Sequence, residues 1–304
     1  MSFDKKDAAQ KANWIDFAYN MFTPGVLQPP ADPGIAAAGY NLLYYLNASD
    51  FQSREFYGYI ARSTGNPRKY ILAIRGTETL AEWILDLAAI PVFFSAAPDA
   101  GLVALGFLSI YQTFTFIDLT GAAKTLNTVV TELAATGAGI EEFLVLGHSL
   151  GGALATLAAA ELAMVNPGNV QSKVVIYTFA SPRVGLLDFA SSFADAVPTS
   201  FRIWNTMDIV PQVPPFPFIH VSGLGDAIVQ TEQQLETLVI TPPCEHHLTS
   251  YQWLLDSTKF SLDGGCSDVA VHASVAAMAA AAGHGPAAQK ASGRAMRKAF
   301  AGHA

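Results

Sequence analysis

Phe143-Leu144-Val145-Leu146-Gly147-His148-Ser149-Leu150-Gly151-Gly152 decides the fold. A short, continuous apolar run reads as a buried strand, and Leu150 to Met164 reads as a helix that stops near Asn166, Pro167 and Gly168. Ser149 therefore falls on a strand–turn–helix bend so tight that it must adopt strained dihedrals. Glycines at Gly147 and Gly151 remove the side chains that would collide with it. The helix start behind Ser149 aims its amide groups and dipole at developing negative charge. A serine placed this way is expected to be a nucleophile.

Outward from the bend, Val174–Phe179 and Phe201–Trp204 read as further strands, the second leading into a proline-rich loop from Pro211 to Pro217. Phe56–Ala61 and Tyr70–Ile74 read as a hairpin turning at Gly65 and Asn66, and Asp7 to Tyr19 reads as a helix before a Pro/Gly-rich loop from Pro24 to Gly34. Strands alternating with helices predict an α/β fold with a mostly parallel central sheet flanked by helices. One catalytic domain is expected over 1–268. The segment 269–304 is Ala-rich and then basic (Lys290, Arg294, Arg297, Lys298) and reads as a frayed helix or disordered tail.

The 304 residues are 51% hydrophobic and 14% charged, so this is a core-forming chain. A net charge of −8 argues against nucleic acid as a partner and against electrostatic docking on anionic membranes. Two cysteines cannot build a disulfide framework, so the core is expected to stand on apolar burial without staples. Residues 1–20 carry Asp4, Lys5, Lys6, Asp7 and Lys11 and lack the apolar run of a signal peptide; no transmembrane segment is apparent. Cytoplasmic residence is the default expectation, with signal-independent secretion as the alternative.

A serine hydroxyl needs a base, and the base needs an orienting acid, in the chain order Ser, Asp or Glu, His. Asp208 follows Phe201–Trp204 almost directly, in a loop at a strand's carboxyl end, whereas Asp188, Asp195 and Asp226 read as surface charges. His246 is the preferred base, with His247 beside it and His220 as alternatives. Both His246 and His247 precede the apolar-periodic segment Leu248, Tyr251, Leu254, Leu255, while His220 reads as a strand residue. The backbone N–H of Leu150 is the first expected oxyanion donor. Cys244-Glu245-His246-His247 lacks the paired spacings of a zinc site, and no phosphate-binding or dinucleotide fingerprint occurs, so neither metal nor cofactor is expected.

These residues carry a resemblance to the class 3 (fungal-type) lipases of the α/β-hydrolase fold. The similar segments are Ile74-Arg75-Gly76-Thr77, Glu82–Leu87, Gly106-Phe107, the bend Gly147–Ala155, Ser181–Gly185, Asn205–Pro211, Ile219–Val221, and His246 with Tyr251 five positions on. The resemblance implies a Ser149–Asp208–His246 triad; its histidine-to-tyrosine spacing favours His246 over His247. It implies Thr77 as the second oxyanion donor, beside a plain capping role. Leu80, Trp83, Ile84 and Leu87 form one apolar helical stripe, which the resemblance makes a lid within about 78–95. Phe93, Phe94 and His148 are grouped with the substrate contacts, and Ile90–Phe94 and Pro214–Ile219 are expected to line an acyl pocket. Ala104 and Leu186 depart from residues common in the family. The implied activity is hydrolysis of lipid carboxylic esters of triacylglycerol type. Phospholipase A1, short-chain or feruloyl ester hydrolysis are alternatives with the same triad, and an inactive lipid-binding module is the alternative from another class.

Overall fold

A computed structural model describes residues 3–49, 53–77, 88–136, 139–206, 208–221, 230–235 and 242–261. The expected lid residues Leu80, Trp83, Ile84 and Leu87, and the tail 269–304, lie outside the described residues.

The chain enters through helix α1 (Lys5–Met21), capped by the Asp4 carboxylate accepting from Asp7 N–H, and the short α2 (Pro33–Ala37). Three strands follow: β1 (Tyr40–Ser49), β2 (Arg54–Ser63) and β3 (Lys69–Ile74). Next come β4 (Pro91–Phe93), β5 (Leu102–Ala104), α3 (Leu105–Tyr111), β6 (Thr115–Asp118), β7 (Ala123–Lys124) and α4 (Leu126–Ala135). The α/β half contains β8 (Glu142–His148), α5 (Leu150–Met164), β9 (Val174–Phe179), α6 (Leu187–Ala196), β10 (Ser200–Asn205) and β11 (Gln230–Leu235). Two short helices close the described chain, α7 (Pro242–His246) and α8 (Leu248–Leu255).

Among the described residues the main sheet runs β11-β10-β9-β8-β3-β2-β1-β6-β7. The β3, β8, β9, β10 and β11 side is parallel, as expected. The β2, β1, β6 and β7 side is antiparallel, and beyond the β2–β3 hairpin it differs from the expected parallel sheet. Tyr40–Ser49 alternates poorly because its hydrophobic residues pack on both faces, so periodicity does not reveal it as a strand.

Alternate residues of β8 feed two cores. Phe143 and Val145 pack under α3, α4, α5 and α6, whereas Leu144 and Leu146 pack under α1 and α8. α5 is buried from Leu150 to Ala160, which is why its composition is apolar all round. Among the described residues no single helix is long and apolar enough to cross a membrane. Gln252 Nε2 on α8 donates to Asn13 Oδ1 on α1 at 2.9 Å, tying the two helices over one face.

Cys244 is disulfide-bonded. The chain's other cysteine, Cys266, lies outside the described residues. This corrects the expectation of a core without staples. One bond gives no framework, but it closes the chain two residues before His246.

Candidate active site

β8 ends at His148, and Ser149 takes φ 57° and ψ −129° before α5 begins. A β-carbon on Gly147 would lie 2.1 Å from Gly151 O, and one on Gly151 would lie 2.4 Å from Arg75 O. Any larger residue at either position would force the bend open. The bend is further pinned by Ser149 N–H donating to Phe179 O at 2.9 Å.

Three sequence-distant elements converge on the bend. His246, the last residue of α7, places Nε2 2.9 Å from Ser149 Oγ. Its Nδ1 lies 2.8 Å from Asp208 Oδ2. Because a carboxylate accepts, Nδ1 carries the proton, leaving the Nε2 lone pair to accept from the serine hydroxyl. Asp208 Oδ2 also accepts from Tyr251 Oη at 2.7 Å, and Oδ1 accepts from Val210 N–H at 2.9 Å. Tyr251 Oη accepts in turn from Asn205 N–H at 3.0 Å. Burial and the Asp208 carboxylate push the Tyr251 phenol well above its ordinary value, so it stays a donor. His247 instead stands exposed just before the first residue of α8, with extended backbone and no side-chain bond to the helix end. His220 Nε2 donates to Pro211 O at 2.8 Å, and burial keeps that ring neutral.

His148 departs from its expected role as a substrate contact. Its Nε2 lies 2.8 Å from the backbone oxygen of His246 and must donate. Nδ1 is then the acceptor, and the Tyr19 hydroxyl 2.8 Å away donates to it. The Tyr19 oxygen accepts from Gly76 N–H at 2.8 Å. Both ring nitrogens are thus committed to protein, and burial together with nearby His246 holds the imidazole well below its ordinary pKa. The two rings lie 4.9 Å apart. A neutral His148 supports His246 without opposing a positive charge on it.

The second expected oxyanion donor follows Gly76 directly. Arg75, 1% exposed, donates Nη1–H to Gly76 O at 2.8 Å and Nε–H to Phe56 O at 2.8 Å, with its guanidinium 3.6 Å over the Phe22 ring. Gly76 is therefore held at both its N–H and its C=O. A β-carbon on Gly76 would lie 2.9 Å from Ser149 Cβ, so the strand end that carries Thr77 abuts the serine. Leu150 N–H, in the first turn of α5, has no intrahelical acceptor.

Two expected pocket positions separate. Phe94 is fully buried, 5.7 Å from the Phe189 ring centroid and 6.2 Å from that of Tyr111, and belongs to the core. Phe93, one residue earlier on a strand, points the other way and is exposed. Phe216 is likewise exposed.

A sequence model described as Lipase (class 3) matches residues 71–218, the stretch running from β3 through the bend and Asp208. Over those residues the chain is similar to the class 3 lipases. It is 31% identical over 215 residues to a lipase of Rhizomucor miehei, covering 66% of this chain and 54% of that protein. It is 30% identical over 224 residues to phospholipase A1-II 3 of Oryza sativa subsp. indica, covering 67% and 52%. It thus spans about half the length of these curated relatives. The crystal structure of the Rhizomucor miehei triacylglyceride lipase superposes with a TM-score of 0.56 at 23% identity, covering 78% of this chain and 82% of that one. The likeness shows the α/β-hydrolase fold.

Sequence reasoning missed Tyr19 and the structural use of Arg75 and Asn205. An arginine immediately after the apolar run Tyr70–Ile74 is a readable signal for Arg75. Tyr19 has none, because its contact with His148 spans 129 positions.

Proposed function

We propose that this chain hydrolyses carboxylic esters of lipids through an acyl-enzyme on Ser149. The observation that carries the proposal is the 2.9 Å Ser149–His246 contact, continued at 2.8 Å to Asp208, on a strained bend. His246 takes the serine proton as Oγ attacks the ester carbonyl. Thr77 and the Leu150 N–H hold the oxyanion, and Asp208 stabilises the imidazolium. His246 then protonates the leaving alcohol. Water attacks the acyl-enzyme by the same steps, returning the proton to Ser149 and releasing the acid. None of these steps calls on a metal or cofactor. The curated relatives are named as a lipase and as a phospholipase A1, which supports a lipid ester and leaves the head group to experiment.

A chain-length series of nitrophenyl esters, run beside triglyceride and phosphatidylcholine emulsions, tests this reading. Turnover is expected to favour emulsified long-chain esters, and Ser149→Ala should lose up to about a millionfold in kcat. Turnover that survives this substitution would refute the serine mechanism. The disulfide at Cys244 also supports an oxidising compartment over the cytoplasmic default; thiol titration of protein extracted from its native source tests that point.

A further inference from the structure

We propose that the Cys244 disulfide is a redox switch on the base His246: the chain hydrolyses esters with the bond closed and is folded but latent with it open. The proposal rests on reading the site as a serine ester hydrolase.

The chain holds two cysteines, so the bond from Cys244 closes on Cys266. The closed loop encloses His246, and it also encloses Tyr251, whose hydroxyl donates to Asp208 Oδ2 at 2.7 Å. Ser149 and Asp208 lie outside it. One covalent bond thus restrains the base together with a donor to its acid, and leaves the nucleophile bend untouched.

The two flanks of His246 are held differently. On the C-terminal side α8 is packed: Leu248, Tyr251 and Leu255 join the core under α1, and Gln252 Nε2 donates to Asn13 Oδ1. On the N-terminal side stands α7, which is only Pro242–His246. A helix that short does not hold itself. Its first two residues, Pro242 and Pro243, have no backbone N–H to donate. Cys244 is 1% exposed, yet among the described residues it belongs to neither hydrophobic core. The covalent tether on this side of the base is therefore the disulfide, helped by Asn205 Nδ2 donating to Glu245 O at 3.2 Å.

The same observations separate activity from folding. Among the described residues the nine-stranded sheet and both cores are built without Cys244, so opening the bond leaves them standing. It does release the segment that aims His246 Nε2 at Ser149 Oγ across 2.9 Å. Closing a loop of this length restrains the open chain by roughly a hundredfold or more. An ångström of misplacement at a reacting group costs about a hundredfold in rate.

Switching on balances as thiol–disulfide exchange. A small disulfide such as oxidised glutathione takes two electrons from the Cys244 and Cys266 thiols. Their two protons pass to the pair of glutathione thiols released as the protein S–S bond forms. A dithiol reverses the step. A chain in a reducing compartment is thereby held latent, and gains its base geometry on reaching an oxidising one.

The test uses the full-length chain, poised with dithiothreitol or with oxidised glutathione, and dissolved nitrophenyl acetate. Maleimide addition read by intact mass should count two thiols in the reduced form and none in the oxidised form. Reduction is expected to lower kcat by roughly a hundredfold with KM within about twofold, and to slow fluorophosphonate labelling of Ser149 in proportion. The far-UV circular dichroism should stay unchanged, and oxidised glutathione should restore the rate. Cys266→Ser should sit at the reduced rate and ignore both reagents, which ties the effect to this bond. A chain with two free thiols at full rate would overturn the switch alone, while the hydrolase reading stands. Loss of sheet signal on reduction would also overturn it, since the bond would then staple the whole fold. An oxidised chain that neither turns over nor labels on Ser149 would overturn the hydrolase reading and the switch with it.

Discussion

The Tyr19 hydroxyl donates to His148 Nδ1 over 2.8 Å, and so couples the N-terminal helix to the bend that carries Ser149. Through its oxygen, which accepts from Gly76 N–H, the same group touches the strand end before Thr77. Through His148 it reaches the backbone of His246. One phenol thereby fixes the spacing between the proposed oxyanion donor and the proposed base.

Removing that hydroxyl should therefore affect rate more than affinity. Tyr19→Phe leaves Gly76 N–H and His148 Nδ1 without their partner and is expected to lower kcat about tenfold while KM changes by less than twofold. Steady-state kinetics on a dissolved nitrophenyl ester checks this. A KM effect with unchanged kcat would remove Tyr19 from the support of the site.

Tyr251→Phe should act on the acid side. Asp208 Oδ2 loses one of its two donors and Tyr251 no longer accepts from Asn205 N–H. The expected outcome is a loss of about 1–3 kcal/mol in unfolding free energy, read by denaturant titration, with a several-fold fall in kcat.

The bend itself is sterically determined. Gly147→Ala would place a methyl 2.1 Å from Gly151 O, a backbone atom inside a buried helix start. We expect at least about 3 kcal/mol of destabilisation, or failure to fold, by urea denaturation. A variant of wild-type stability would mean the bend can open, and the strain assigned to Ser149 would be wrong.

Glu245 sets a pH dependence. Its side chain is buried, its Oε1 has no hydrogen-bond partner among the described residues, and burial with neighbouring Asp208 raises its pKa to about 7. The unfolded carboxyl has an ordinary value near 4.5. Between those limits the unfolded chain releases a proton that the folded chain retains, so the stabilisation from protonated Glu245 is complete below pH ~4.5 and lost as pH rises through about 7. Glu245→Gln, which never ionises, should gain Tm relative to the natural protein between pH 4.5 and pH 8. Thermal melts at both pH values check this, and a difference independent of pH would contradict it.

The sequence discloses those parts of the site that depend on local geometry. Gly147 and Gly151 announce the bend because a side chain at either position meets backbone, and Asp208 announces itself by following a strand. The three histidines stay ambiguous at that level. What separates His246 from His247 is that α7 ends on the first while α8 starts after the second, a boundary of one residue. Tyr19 and the fate of His148 are illegible for a different reason: their partners are brought together only when α1 packs beneath the sheet. The β1, β6 and β7 edge escapes because a two-residue strand and one buried on both faces leave no alternating pattern.

Covalent labelling with a fluorophosphonate probe, located by peptide mass spectrometry, tests the nucleophile most directly. A serine activated by His246 should take up one equivalent on Ser149 at neutral pH, and the folded His246→Ala protein should label at least about a thousandfold more slowly. A folded natural protein that takes no label, or takes it at a residue other than Ser149, would contradict acyl-enzyme chemistry at this bend.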